Sequence, residues 1–412
     1  MIREQLGALT ERNFRLFFSS TTISAFGDGV SAVALAFAVL QVSHNSYLAV
    51  TAVIAARQGA QTVVTLAAGV IADRLPRHLV LFNAAAIQGV AQAVSGALVL
   101  SGHASVWLLA VLAVVYGAAD GFTLPAQQGL IPTIVSGLRL QQANALLGLT
   151  TSGLRLLGPS LGGVLTALGS PGAALEVDAA TFVISAFLLL RVTISPRADA
   201  VAPEKFFVEL REGWTEFRRQ RWISTTFVFF LFGNFFWGAW AVLGPYMAKQ
   251  HLGGAIAWGL IGGASGAGAV VGGAFALRHK PRRIVLASCL WSVPFGLPML
   301  ALGLLLPLPV IVVISFVQGL TLALHLTLWF TAFQQQVPEA ARSRVSSFDA
   351  MGSFVLIPVG MIAAGLVASV IGPQATLIGA GALTMAANVL VFTRRSIYEI
   401  ERTDVSPQPE PA

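Results

Sequence analysis

The run Gly69-Val-Ile-Ala-Asp73-Arg74-Leu-Pro76-Arg77-His78 stands between two long apolar stretches. A near copy, Gly273-Ala-Phe-Ala-Leu277-Arg278-His-Lys-Pro281-Arg282, stands between two more. A short basic loop joining apolar stretches marks a chain that crosses a bilayer and turns back on the side where Arg and Lys are retained. Its return about half a chain later marks a duplication. Further matches keep the same order: Phe26-Gly27-Asp28 with Phe232-Gly233-Asn234, Gln127-Gln128 with Gln335-Gln336, and Gly153 with Pro159 against Gly352 with Pro358. Each match is weak alone; in sequence they argue for two copies of one unit.

Composition agrees with a membrane chain. Hydrophobic residues make up 56% and charged residues 10% of the 412 positions, whereas soluble domains are about 25% charged. The net charge of +7 is read as loop arginines facing anionic headgroups, not as a nucleic-acid footprint. Cys289 is the one cysteine, so no intramolecular disulfide is expected.

Twelve apolar spans are expected, each long enough for about 30 Å of hydrocarbon at about 1.5 Å per residue. They cover 14–40, 48–72, 79–101, 106–127, 143–168, 173–190, 223–248, 255–277, 284–306, 309–333, 346–371 and 375–393. Loops on one side, with both termini, hold nearly all the basic residues, and the opposite loops hold only Lys249. Both termini are therefore expected in the cytoplasm, and span 1 is expected to serve as its own insertion signal. The fold class expected is an all-α membrane protein of two pseudo-symmetric six-helix bundles. They cover 1–192 and 223–398, with a cytoplasmic linker at 193–222 carrying an amphipathic helix and a disordered tail at 399–412. Duplicated units of this kind suit a transporter that rocks around a site near the midplane.

The loop at 69–78 resembles the signature of the major facilitator superfamily, G-x-x-x-D-R-x-G/P-R-R, with His78 in the second basic place. The resemblance covers the whole chain. It implies a latch made of Gly69, Asp73, Arg74 and Arg77, with Asp73 near the start of span 11 and Arg77 near Asp120, low in span 4. Leu277 replaces the aspartate in the second copy, so the full latch is expected in the first half only. The plainer reading is that these are positive-inside loop charges. In span 5, Arg155 and Gly158-Pro159-Ser160-Leu161-Gly162-Gly163 resemble the antiporter signature G-P-x-x-G-G of drug exporters, with Gly153 one place off the usual spacing. The start of span 1, the Gln141–Ala145 stretch and Val177-Asp178 resemble a branch of macrolide-efflux-like and enterobactin-exporter-like proteins. Members of that branch export hydrophobic or amphipathic small molecules against protons.

Ionisable residues inside hydrocarbon are costly and mark function. Asp28 lies near the middle of span 1 and Arg57 within span 2, so the two are candidates for proton coupling. Asp178 is the rival partner for Arg57, and Asp120 has both Arg155 and Arg77 within reach. A permanent structural ion pair is the plainer alternative. Substrate-cavity candidates are Gln88 and Gln92, which share one face of span 3, together with Asn234, Trp237 and His325. For His325, an interhelical hydrogen bond is the simpler reading.

The expected function is proton-coupled efflux of a hydrophobic or amphipathic small molecule (drug, antibiotic or siderophore) by a monomeric cell-membrane transporter. An importer or an uncoupled facilitator of the same fold is the alternative. No catalytic residue, metal or cofactor is expected. A membrane enzyme would need a convergent acid–base or metal set, and the histidines are scattered near loops.

Overall fold

The computed structural model describes residues 7–72, 75–193, 215, 220–276, 278–337 and 339–402. Among them every regular element is helical. The long helices are α1 (Arg12–Val42), α2 (Tyr47–Ala72), α3 (Arg77–Leu100), α4 (Val106–Asp120), α5 (Thr123–Ile134), α6 (Leu140–Leu168) and α7 (Pro171–Leu190). The second half holds α8 (Arg221–His251), α9 (Ala255–Ala276), α10 (Ile284–Ser292), α11 (Leu297–Gly303), α12 (Leu308–Gln336), α13 (Glu339–Ile371) and α14 (Pro373–Leu390). Among the described residues nine helical stretches are long and apolar enough to cross a membrane, with α4–α5 and α10–α11 each forming one traverse. Helices α2, α6 and α13, of 26, 29 and 33 residues, lie between them.

Two expected spans are broken. In the fourth, the helix stops at Asp120 and restarts at Thr123. Pro125 explains the break, because its ring would clash with the carbonyl of Gly121 four residues back. In the ninth, Pro294 and Pro298 impose a 3-10 turn, Val293–Gly296, between α10 and α11. Helix α13 starts seven residues before the expected span 11. Its first turns are polar, so they form helix without adding to the apolar run.

The halves repeat each other in packing. In the first, α1 packs on α6 and α7, α2 on α4, and α3 on α7 and α4. In the second, α8 packs on α13 and α14, α9 on α12, α11 on α14 and α10 on α12, which is the same set of pairs. The turns repeat too. Left-handed residues close α1–α2 (His44, Asn45) and α8–α9 (Gly253, Gly254), and again α3–α4 (Gly102) and α11–α12 (Leu305).

The start of α1 sits beside the end of α7, where Asn13 Nδ2 donates to the Thr193 carbonyl oxygen at 2.7 Å. The Arg402 N–H reaches the Arg282 carbonyl oxygen in the α9–α10 loop at 2.8 Å. Both ends of the described chain therefore lie on one face, here the terminal face. Contacts between the halves gather toward the opposite face. On α2 and α13 the Tyr47 hydroxyl donates to the Ala368 carbonyl oxygen at 3.3 Å, and Thr51 packs on Gly365. On α6 and α9, Ser160 Oγ donates to the Gly259 carbonyl oxygen at 3.2 Å, and Gly163 packs on the backbone at Ala255 and Gly259. The expected linker helix, Leu277 and the tail beyond Arg402 lie outside the described residues.

Candidate functional site

Asp28 is set by the glycines around it. A Cβ on Gly27 would meet Thr181 Oγ1 at 2.1 Å and Asp178 Oδ1 at 2.3 Å, so glycine there lets α7 lie against α1. A Cβ on Gly29 would meet the Gly158 Cα at 2.6 Å, so α1 and α6 touch through backbone alone. Gly162 does the same one turn on, against Val30. The glycines of the span 5 motif therefore serve two contacts, with Gly158 and Gly162 facing α1 while Pro159 and Gly163 face α9 in the other half.

Around Asp28 four other helices bring charged or hydrogen-bonding groups. Tyr116 of α4 donates its hydroxyl to Asp28 Oδ1. The Arg57 guanidinium of α2 lies over the same tyrosine ring, 3.9 Å from its centre, a cation–π contact. Asp120, one turn beyond Tyr116, accepts from Gln61 Nε2 at 2.7 Å and bonds with Gln88 of α3. Asp178 of α7 is fully buried and accepts from Gln92 Nε2. Arg57 lies within electrostatic reach of Asp28, Asp120 and Asp178. Among the described residues none of the three comes within the 4.0 Å of an ion pair with it. Among the described side chains, three carboxyls thus share one guanidinium in a region where an unbalanced charge is costly.

The partners expected from spacing alone are accordingly revised. Asp28 and Arg57 meet through Tyr116 and not directly, and Asp178 is held by Gln92. Arg77 donates to the Gly129 carbonyl oxygen of α5, while Asp120 is held by Gln61 and Gln88. Asp73, Arg74 and the side chain of Arg155 lie outside the described residues, as does the packing around Gly69.

A cavity of about 180 Å³ runs along α1 from Asp28 toward the terminal face. Among the described residues its lining comes from the first half, and Ser20, Thr21, Ser24, Asp28, Gln88 and Asp120 are among its polar walls. That volume suits several waters at about 30 Å³ each and is smaller than the 300 Å³ or more of a typical ligand pocket. Gln88 lines this cavity and Gln92 does not.

The candidates in the second half stand apart. His325 is 4% exposed, and both Ser288 Oγ and the Ser288 carbonyl oxygen lie 3.0 Å from its Nδ1. The rings of Phe230 and Phe295 pack edge-on against it. It is a core residue joining α10 to α12, so its place among cavity candidates is corrected. Trp237 lies tilted against Trp240, 5.9 Å between ring centres, and Asn234 is half-buried on α8. Where α2 and α4 hold Arg57 and Tyr116, the matching crossing of α9 and α12 holds Ser265 and Gln318, whose side chains meet at 2.9 Å. Among the described side chains, the carboxyl and guanidinium groups within apolar spans all lie in the first half.

Sequence reasoning missed Tyr116 and Gln61. A signal was there: Tyr116 is one turn from Asp120, and Gln61 one turn from Arg57, so each shares a helix face with an ionisable residue already singled out.

Known proteins resemble this chain along its length. The multidrug efflux pump Tap of Mycobacterium tuberculosis (strain ATCC 25618 / H37Rv) is 26% identical over 407 residues, 95% of each chain. The uncharacterized MFS-type transporter YvqJ of Bacillus subtilis is 23% identical over 312 residues, 74% of each. Among solved structures, the D323A mutant of the nucleoside transporter NupG superposes with a TM-score of 0.73 at 13% identity, covering 92% of this chain and 99% of that one. A POT family transporter in complex with a thioalcohol-conjugated peptide gives 0.72 at 10% identity, covering 93% and 96%. At such identities the structures speak for the fold alone. The paired halves, the apolar helices and the match of residues 4–411 to the family described as transmembrane secretion effectors together make this chain a member of that family of major facilitator transporters.

Proposed function

We propose that the chain is a proton-coupled exporter of hydrophobic or amphipathic small molecules in a bacterial cell membrane. The observation that carries this reading is the buried set of Asp28, Asp120 and Asp178 around the guanidinium of Arg57, which is the one guanidinium among them in the described side chains. A guanidinium balances one carboxylate. Protons are the compensation at hand for the others, and the cavity reaches Asp28 and Asp120 from the terminal face. With the termini in the cytoplasm, as the loop arginines argue, that face is the cytoplasmic one and the conformation is inward-open. Substrate is then loaded from the cell interior, and protonation of the cluster from outside drives the return. The likeness to the multidrug efflux pump Tap supports export as the direction. Asp73, Arg74 and Arg77 act as the latch that closes the cytoplasmic side.

The test of direction uses everted membrane vesicles and a panel of hydrophobic antibiotics, dyes and siderophores. Respiration-dependent accumulation of a compound, abolished by an uncoupler, is the expected result. Accumulation only in right-side-out vesicles would overturn the export reading.

A further inference from the structure

We infer that Tyr116 is a positioning residue that relays the protonation state of Asp28 to Arg57 and so to helix α2. The inference rests on the coupling reading above and adds to it the route by which a proton moves a helix. Tyr116 touches both charges at once, its hydroxyl on Asp28 and its ring face under Arg57. An arginine is always charged at working pH, so Arg57 must keep a partner wherever it points. In this conformation the ring supplies that partner and holds Arg57 out of ion-pair distance of the carboxylates.

The groups facing Asp28 are Tyr116 and Asp120 on α4, Arg57 on α2 and Asp178 on α7. The side chain of Arg155 on α6 lies outside the described residues. When Asp28 takes a proton, the Tyr116 hydroxyl loses its anionic acceptor, and its charge-assisted hydrogen bond becomes a weaker neutral one. The ring is then free to turn, and Arg57 can close on whichever of Asp120 and Asp178 carries the charge. Arg57 cannot move alone. A Cβ on Gly117, the residue after Tyr116, would meet the Arg57 carbonyl oxygen at 2.1 Å, so α4 and α2 touch through backbone at this level. Helix α2 is also the one that meets α13 of the other half, through Tyr47 and Thr51. A shift of Arg57 therefore bears on the contact that must open for the halves to rock.

The test compares wild type, Tyr116→Phe and Arg57→Lys in proteoliposomes, with a transported compound from the vesicle panel. Tyr116→Phe keeps the ring and removes the hydroxyl, and Arg57→Lys keeps the charge and removes the planar stack. Tyr116 is 2% exposed, enclosed between Asp28 and Arg57. KM for the compound should therefore stay within about twofold of wild type, while kcat falls about tenfold or more. In both variants the pH midpoint of transport should move by about one unit and fewer protons should move per substrate. A wild-type pH profile and proton ratio in Tyr116→Phe would overturn the relay, as would a rise in KM with unchanged kcat. If Tyr116→Phe does not insert, Arg57→Lys alone decides by the same readouts. Wild type that transports without moving protons would overturn both the relay and the coupling reading, whereas coupled wild type with an unaltered Tyr116→Phe overturns the relay alone.

Discussion

The guanidinium of Arg57 rests on the ring of Tyr116, 3.9 Å from its centre, and that ring's hydroxyl is bonded to Asp28. The two residues most exposed to suspicion by their charge are therefore separated by a third that carries none. Exchanging Asp28 and Arg57 should not restore transport, because the tyrosine hydroxyl would then face a guanidinium and its ring face a carboxylate, both the wrong partners. The double exchange should stay on the order of tenfold or more below wild type, measured as initial efflux rate at equal protein in the membrane. Rescue to near wild type would mean a direct ion pair.

Gly29 and Gly158 meet backbone to backbone, so a methyl group has nowhere to go. Gly29→Ala should lower stability by about 1–3 kcal/mol, seen as a fall in unfolding temperature in detergent, together with lost transport. Gly233, the counterpart of Gly27 in the second half, has open space where its Cβ would be, and Gly233→Ala should leave both properties near wild type.

The packing of Thr51 against Gly365 closes the halves on the face away from the termini. Cysteines at both positions, in a Cys289→Ala background, should form a disulfide in this conformation, since one Cβ already reaches the other side chain. Oxidation should stop transport and a reductant should restore it. Full transport by the cross-linked protein would show that this contact need not open.

Ser288 and His325 join α10 to α12 inside the second half. Ser288→Ala should cost about 1–2 kcal/mol of stability by leaving the His325 carbonyl oxygen without its hydroxyl donor. KM for any transported compound should not change. A selective loss of one compound would put His325 back in the substrate path.

Much of this fold was legible in the chain before any coordinates. Run lengths anticipated the nine apolar spans found among the described residues, and the paired motifs announced the repeated packing of the halves. Asp28, Arg57, Asp120 and Asp178 were conspicuous because charge in hydrocarbon is rare. What stayed hidden depends on how helices are rotated about their axes. Tyr116 counts as one more aromatic in an apolar run until α4 is turned to face α1 and α2. His325 stood among the cavity candidates, with an interhelical hydrogen bond as its simpler reading, and Ser288 of α10 makes that bond. The break at Gly121 was readable from Pro125, yet the apolar run through it masked the signal.

In the proposed cycle, protons move through the first-half carboxyls during export. The direct measurement is proton flux in proteoliposomes holding a trapped pH dye, started by adding a transported compound, for wild type and Asp28→Asn. The expected result is a compound-dependent proton movement in wild type that is absent in Asp28→Asn, although the variant still binds the compound. Equal proton movement in both proteins would contradict it.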